Sequence, residues 1–454
     1  MTGTEASAPD HHGSHNELLW LPDSASSNRT SLDAIIVPTV RRPSFLADAA
    51  DLAAVLGCTL VTLHSGKFTT AEKARRELPA KIDLLAIDMP REGRLRLPRW
   101  RTTCLLEGTA FARRSDLSAK RNFSLLLSRM QGWQRVLYLD DDITGLKPND
   151  IRLASGMLDV HNAVGLKIGG FPDHSVVCHA YRESGGNQQA FIGGGAMAVQ
   201  TGRNTSFFPD IYNDDWFFLL DGKRGLQSVA AAGEVTQEAY DPFGTPERAR
   251  GEELGDVLAE GLYWLLDQGR SVADADREHW ETFLAKRKLF IQRVITMVKE
   301  SDLEATEIKR RIAVLNGSLD SLSLISATLC ELYLRAWADD RERWQKHLEK
   351  LPTAMSRRQA VNWLTRDDTP RQAALHPVRP DTRSSQEHPA PSSPAVGQKA
   401  SRLLPVAALL SMLVTASAAG LVAVGAASRS HGRRLWSAGR ERSRIGRLRW
   451  PARR

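Results

Sequence analysis

The chain has 454 residues, too many for one ordinary domain, and 42% of them are hydrophobic, which excludes a wholly disordered protein. Its net charge of +8 belongs to one end: residues 429–454 carry ten Arg against one Glu, and setting that +9 aside leaves −1 for the rest. The body therefore lacks the basic stripe that nucleic acid requires, and no nucleic-acid partner is expected.

Residues 1–30 are polar, with Asp10, His11, His12 and His15 close together. That group could touch a metal, but the composition predicts a disordered tail, and no secretion signal is visible. Ala34-Ile35-Ile36-Val37-Pro38 reads as a short buried strand. A helix follows, with apolar residues at Phe45, Leu46, Ala49, Leu52, Ala53 and Leu56, ended by Gly57. Thr59–Leu63 and Leu84–Ile87 read as two further strands. Strand, helix, strand at this spacing predicts a parallel sheet with helices on its faces. Ala119–Met130 reads as a helix that leads straight into a strand over Val136–Leu139.

Downstream come the turn Gly193-Gly194-Gly195, an apolar stretch over Ala196–Val199, and Tyr212-Asn213-Asp214-Asp215-Trp216. After Gly251 the periodicity becomes helical. Leu254, Val257, Leu258, Leu262 and Leu265 mark one face, and Trp280, Phe283, Phe290, Ile291 and Val294 another. Two more helical segments extend to about Leu351, and Trp264, Trp280 and Trp337 read as packing residues. The expected organisation is a tail (1–30), an α/β domain (31–250), a helical region (251–365) and a linker rich in Pro, Ser and Gln (366–402). An uncharged segment (403–428) and an Arg-rich tail (429–454) complete it.

The segment 403–428 exceeds the about 20 residues that span a bilayer, so it reads as a transmembrane or membrane-associated helix. Trp436, Trp450 and the arginines behind it suit an anionic membrane surface. Arginine bias would place the tail in the cytoplasm and, with a spanning helix, the body outside. A re-entrant or interfacial segment would leave both inside. The expected location is the cell membrane, with the body on the cytoplasmic side. The cysteines, Cys58, Cys104, Cys178 and Cys330, form no CxxC pair, so reduced thiols are expected.

The chemistry concentrates in Asp140-Asp141-Asp142, delivered to one point by the apolar run before them. Clustered carboxylates repel one another unless a cation compensates. Hard oxygen ligands suit Mg²⁺ or Mn²⁺, which commonly hold substrate phosphates as well. The carboxyl end of a central strand is also where open α/β sheets bind ligands. Bland readings stand beside these: the acids as a solvated turn, Asp214 and Asp215 as a helix cap, Lys120 and Arg121 as an exposed helix edge, and the glycines as a plain turn.

Leu117–Leu127, with its Lys120-Arg121-Asn122, followed by Val136–Asp142, resembles the core of GT-A glycosyltransferases of the family 2 type. There an "ARN"-like helix precedes the strand bearing a DxD motif. Ala34–Thr39 resembles the family's opening strand, and Gly193–Gly195 with Asn213–Trp216 its acceptor-side loop and acidic motif. The similarity covers roughly residues 31–244. It departs at His64-Ser65-Gly66, where the family has an acidic turn, and in having His279 as the first His after Asp215.

The resemblance implies an α/β fold of GT-A (Rossmann-like) type, with a mixed, mostly parallel sheet and helices on both faces, a helical appendage and a C-terminal hydrophobic segment. It implies a metal-dependent glycosyltransferase moving a sugar from a nucleotide-sugar donor to a hydroxyl of a glycan or lipid-linked acceptor, for instance an envelope glycan or glycolipid. Asp140 and Asp142 would hold the ion (Mn²⁺ or Mg²⁺). Pro38, Thr39, Arg41, Lys120, Arg121, Asn122, Asp140 and Asp141 would line the donor. Gly193, Gly194, Gly195 and Trp216 would face the acceptor, with Asp214 or Asp215 as base.

Rival readings remain open. Asp140-Asp141-Asp142-Ile143-Thr144 also satisfies DxDxT, the nucleophile signature of haloacid-dehalogenase-like phosphatases, with Asp140 as nucleophile. A membrane-tethered, non-catalytic nucleotide-sugar-binding module and a nucleotidyltransferase are further alternatives.

Overall fold

The computed structural model describes residues 10–22, 29–90, 93–113, 115–171, 175–222 and 225–366, with the backbone of 374–375. The chain divides into two units, 1–393 and 394–454. The second lies outside the described residues, and with it the expected membrane segment 403–428 and the Arg-rich tail. Most of the expected linker lies outside them too. Among the described residues no single helix is long and apolar enough to cross a membrane.

The first strand, β1 (Ala34–Thr39), is fully buried and runs into a short 3-10 turn at Pro43–Leu46 and then α1 (Ala47–Leu56). Gly57 closes α1 in the left-handed conformation at φ 68°, which glycine adopts without steric cost. Next come β2 (Thr59–His64), α2 (Ala71–Glu77), β3 (Leu84–Asp88), α3 (Arg101–Leu106) and α4 (Leu117–Met130). β4 (Arg135–Leu139) carries the chain to the acid run, followed by β5 (Ile143–Thr144), α5 (Pro148–Met157) and β6 (Ala163–Gly170). Then follow α6 (Val176–Glu183), β7 (Ala196–Gln200), α7 (Asp214–Leu219) and β8 (Val229–Gln237). Five helices complete the body: α8 (Pro246–Asp267), α9 (Arg277–Glu300), α10 (Ala305–Leu322), α11 (Ala327–Glu349) and α12 (Arg357–Thr365). A two-residue strand, β9 (Ala374–Leu375), follows them.

These strands form one nine-stranded sheet in the order β5-β8-β6-β7-β4-β1-β2-β3-β9. The pairings make β1, β2, β3, β4, β6 and β8 run one way, and β5, β7 and β9 the other. The sheet is thus mixed and mostly parallel, as expected.

Successive strand residues point to opposite faces. Ile35, Val37, Leu60, Leu84, Leu137, Leu139, Val164 and Leu166 turn to one side and meet Leu52 and Ala53 of α1, Ala74 of α2 and Ile151 and Ala154 of α5. The other side is covered by α4, which is itself covered by α12. Lys120 and Arg121 were candidates for an exposed helix edge, yet they are 2% and 3% exposed, because Lys120 turns to Thr39 and Ser65 and Arg121 to Asp214 and Phe208.

The helical region shares one compact unit with the sheet. Asp340 of α11 is fully buried and caps the start of α3: its carboxylate accepts from the backbone N–H groups of Arg101 (2.7 Å) and Thr102 (2.9 Å) and from Thr102 Oγ1 (2.9 Å). Arg357 of α12 reaches Asp83, just before β3, at 2.6 Å. Within the helices, Arg287 of α9 is buried between Glu253 and Asp256 of α8. Trp280, Trp337 and Trp264 are buried packing residues, as read from their spacing.

Residues 10–22 lie against this body, where a tail was expected. Asp10 pairs with Arg293 of α9, and Trp20 bridges to β8 at Ala230. The four cysteines are free thiols.

Replacing Asp340 by Ala removes an acceptor from three donors, two of them buried, so Asp340→Ala should cost about 2–4 kcal/mol of stability by urea unfolding. A loss within about 0.5 kcal/mol, the range of ordinary surface changes, would show that the cap does not hold the helices to the sheet.

Candidate active site

Three separate stretches meet at the carboxyl end of the central strand β4: the acid run that follows it, the glycine turn before β7, and the start of α7. The acids do not converge on one point as the sequence led us to expect. Asp141 and Asp142 share Arg41, while Asp140 turns to Arg121.

Asp141 accepts from Thr39 Oγ1 at the end of β1 and lies 3.5 Å from Arg41. Burial raises the Asp141 carboxyl above its ordinary value, against the opposing pull of Thr39 and Arg41. Asp142 takes a 3.0 Å hydrogen bond from the other guanidinium nitrogen of Arg41. Arg41 is 37% exposed in its side chain and spans both acids. Asp140 faces Arg121 at 3.4 Å, and its backbone N–H donates to Gly195 O at 2.9 Å.

Arg121 holds the site together. Its guanidinium is wholly buried, donates to Asp214 Oδ1 at 2.8 Å, reaches Asp140 Oδ1, and lies 5.5 Å from the centre of the Phe208 ring. Burial opposes its charge, but Asp214, Asp140 and Asp215 outweigh burial and raise its pKa. Asp214 is 4% exposed and also accepts from Ser118 Oγ at 3.0 Å. Burial raises the Asp214 carboxyl, with Arg121 pulling the other way.

The neighbouring Asp215 is placed differently. It lines a cavity with Gly193, Gly195, Ile192, Asn213 and Trp216. Its two oxygens accept from the backbone N–H groups of Gly194 (2.6 Å) and Trp216 (2.9 Å). Asn213 adopts the left-handed conformation at φ 60°, and its side chain donates to Asp256 of α8 at 3.2 Å. Trp216 is anchored by Tyr263 Oη, which donates to its carbonyl at 3.0 Å. The helical region therefore sets where α7 begins.

The glycines were expected to let backbone approach a sugar. What they do in the structure is let backbone approach the protein's own charges. A Cβ at Gly193 would lie 2.8 Å from Asp215 Oδ2, one at Gly194 2.6 Å from the Arg121 guanidinium, and one at Gly195 3.3 Å from Asp140 Oδ2.

Two residues read as donor contacts are committed internally. Lys120 is buried and donates to Thr39 O (3.1 Å) and Ser65 Oγ (2.7 Å), with Asp116 at 3.1 Å. Asn122 clamps the backbone of Phe208, donating to its carbonyl at 2.7 Å and accepting from its N–H at 2.9 Å. Pro38 is buried in β1 beside Thr39. His64, where the resembled family has an acidic turn, is buried between Thr62 and Thr69, and burial lowers its pKa to about 4.

A second cleft, about 200 Å³, opens beside Asp141 and is lined by Phe45, Asp48, Ile143, Thr144 and Glu238. Asp48, Glu238 and Ser118 belong to the site's surroundings, and the sequence reading missed them. Asp48 and Glu238 stand far from the acid run in sequence and match no motif, while Ser118 lies within the Leu117–Leu127 stretch, two positions before Lys120, but was not singled out.

No protein-family model matches the chain, and no curated protein matches it. Among solved structures it is similar to a mannosyltransferase, PcManGT, from Pyrobaculum calidifontis in complex with GDP-Man and Mn²⁺. The identity is 14% and the TM-score 0.35, with 69% of this chain and 88% of that chain covered. At that TM-score the likeness bears on neither the fold nor the chemistry of this chain.

The glycine contacts yield an ordered series. Gly194→Ala forces the buried guanidinium to shift and should destabilise by about 1–3 kcal/mol in thermal unfolding, as overpacking does. Gly195→Ala, facing a looser contact, should cost less. Equal costs, or a harmless Gly194→Ala, would show that the turn is not held against Arg121.

Proposed function

We propose that the protein is a metal-dependent glycosyltransferase of GT-A type that moves a sugar from a nucleotide-sugar donor to a hydroxyl acceptor. One observation carries the reading: the buried Arg121 joins Asp140 of the acid run to Asp214 of the Asn213–Trp216 motif. Motifs about 70 residues apart in sequence thereby form one site, with one acid-lined cleft on the Asp141 side and another cavity on the Asp215 side.

The donor set fits a hard divalent ion. Asp140 and Asp142 offer oxygens only, and the cleft beside Asp141 adds Asp48 and Glu238, with Arg41 as the nearby cation. Asp140 and Asp142 would hold Mn²⁺ or Mg²⁺, which when bound would offset the charge gathering on a leaving diphosphate. Arg41 is exposed enough to leave its carboxylates and meet a phosphate oxygen. Thr39 holds Asp141 on the donor side, and Lys120 and Asn122 act as positioning residues behind it.

Of the two candidate bases, Asp215 is the better placed. Asp214 is occupied by Arg121 and Ser118, whereas Asp215 lines the cavity beside Trp216. Its carboxylate would take the proton of the acceptor hydroxyl, and the glycine turn with Trp216 would form the acceptor wall. A glycan or a lipid-linked sugar is the proposed acceptor. Residues 403–454 are proposed to hold the protein at the cytoplasmic face of the cell membrane.

A panel of sugar nucleotides should raise the thermal stability of the full chain in the presence of Mn²⁺, because binding to the native state shifts the unfolding equilibrium. Asp142→Asn should abolish metal-stimulated transfer while the fold survives, and near-normal transfer would refute the metal assignment. Asp215→Asn should lower kcat by about 10²–10⁴-fold. Metal-dependent hydrolysis of a simple phosphate ester without any transfer would replace this reading by the phosphatase one. Removing residues 403–454 should move the protein to the soluble fraction, and unchanged sedimentation with membranes would rule out that anchor.

A further inference from the structure

Away from the acid run, residues 10–22 bring imidazoles to the carboxyl end of α8. His15 is 3% exposed, its Nδ1 bonded to Asp267 and its Nε2 3.1 Å from Glu260 Oε2. His12 lies against it with the two rings nearly parallel, centroids 5.1 Å apart. The Nδ1 atom of His12 is buried, makes no hydrogen bond, and stands 3.3 Å from Asp267 Oδ2. One ligand atom from each of His12, His15 and Asp267 lies within 4.8 Å of the others, and among the described residues no other group of three or more His, Cys, Asp or Glu meets that test.

We propose that His12, His15 and Asp267 form a binding site for zinc or a chemically similar first-row divalent cation, with Glu260 as its outer support. Nitrogen and carboxylate ligands in this mixture suit such ions better than Mg²⁺ or Ca²⁺. The roles divide by geometry. Nδ1 of His15, Nδ1 of His12 and the carboxylate of Asp267 face one another and form the inner set. Nε2 of His15 points the other way, to Glu260. A ligating imidazole ordinarily donates its far N–H to a carboxylate or carbonyl, which fixes the ring and strengthens the ligand. Glu260 and Asp267 lie seven residues apart, two turns along the same face of α8. Asp267 is the helix's last residue, where the carbonyl ends favour positive charge. His12, at 38% side-chain exposure, leaves room for solvent at a fourth position.

A divalent ion would occupy the unbonded Nδ1 of His12, offset the carboxylates of Asp267 and Glu260, and fasten residues 10–22 to α8. The ring of His15 also meets Trp216, Tyr263 and Phe191 edge-on, so the clip borders the acceptor-side cavity without belonging to the acid run.

The test is titration of the metal-free full chain with Zn²⁺ by calorimetry and with Co²⁺ by its visible absorption. Both should show one saturable equivalent that survives in Asp142→Asn, which separates it from the ion of the acid run. His12→Ala, whose partly exposed side chain makes no hydrogen bond, should fold normally and lose at least tenfold in affinity. Asp267→Asn should lose as much, and Glu260→Gln about 10–100-fold, the usual cost of an outer-shell partner. Zn²⁺ affinity untouched by both His12→Ala and Asp267→Asn, or no saturable Co²⁺ spectrum, would overturn the site and leave His15 as an ion-pair clip alone.

Discussion

A guanidinium sealed from solvent is the constraint on which this site depends. An unpaired buried charge costs several kcal/mol, and removing one partner of a buried pair is correspondingly destabilising. Arg121 is tolerated because Asp214 and Asp140 meet it from two directions. Each carboxylate belongs to a different segment, so the charge fixes the end of β4, the middle of α4 and the start of α7 relative to one another. Lysine would not serve equally, since the fork of the guanidinium is what lets one side chain hold two acids at an angle. The glycine turn completes the arrangement: any larger residue at 194 would displace the fork.

Charged side chains also join segments distant in sequence elsewhere: Asp340 caps the start of α3, Arg357 pairs with Asp83 before β3, and Arg287 of α9 lies between Glu253 and Asp256 of α8. Their consequence reaches the site. Asn213 and Trp216 take their positions from Asp256 and Tyr263 of α8, so the cavity beside Asp215 is walled partly by the helical region. A sheet domain cut at residue 250 would lose that wall, and the polar groups of α8 would lose their partners.

Residues 10–22 extend this logic to the chain's beginning. Their polar composition gave no reason to fold alone, and alone they bury too little apolar surface to offset the entropy of ordering. Against α8 and α9 the balance changes. His15 gains two carboxylates, Asp10 gains Arg293, and His11 stacks on Phe290. Partners from other segments, absent from any local window, decide the outcome.

Read alone, the sequence located β1, α1, β2, β3, α4 and β4 to within a few residues, because each carries its own periodicity, turn signal or apolar run. It also placed the acid run at a strand's carboxyl end, and the apolar face of α8. It missed β6 and β8, whose Ala- and Gly-rich stretches have little strand preference of their own and are strands because neighbours pair with them. It named Arg121, Asp140, Asp214 and Gly194 as separate candidates, but could not say that one hydrogen-bonded cluster joins them. It took Lys120 and Asn122 for donor contacts, when Thr39 and Ser65 hold the one and the backbone of Phe208 the other. Local backbone preference and hydrophobic pattern are written in consecutive residues and can be read there. Which charge compensates which depends on distances across the fold, and only the packed chain sets those.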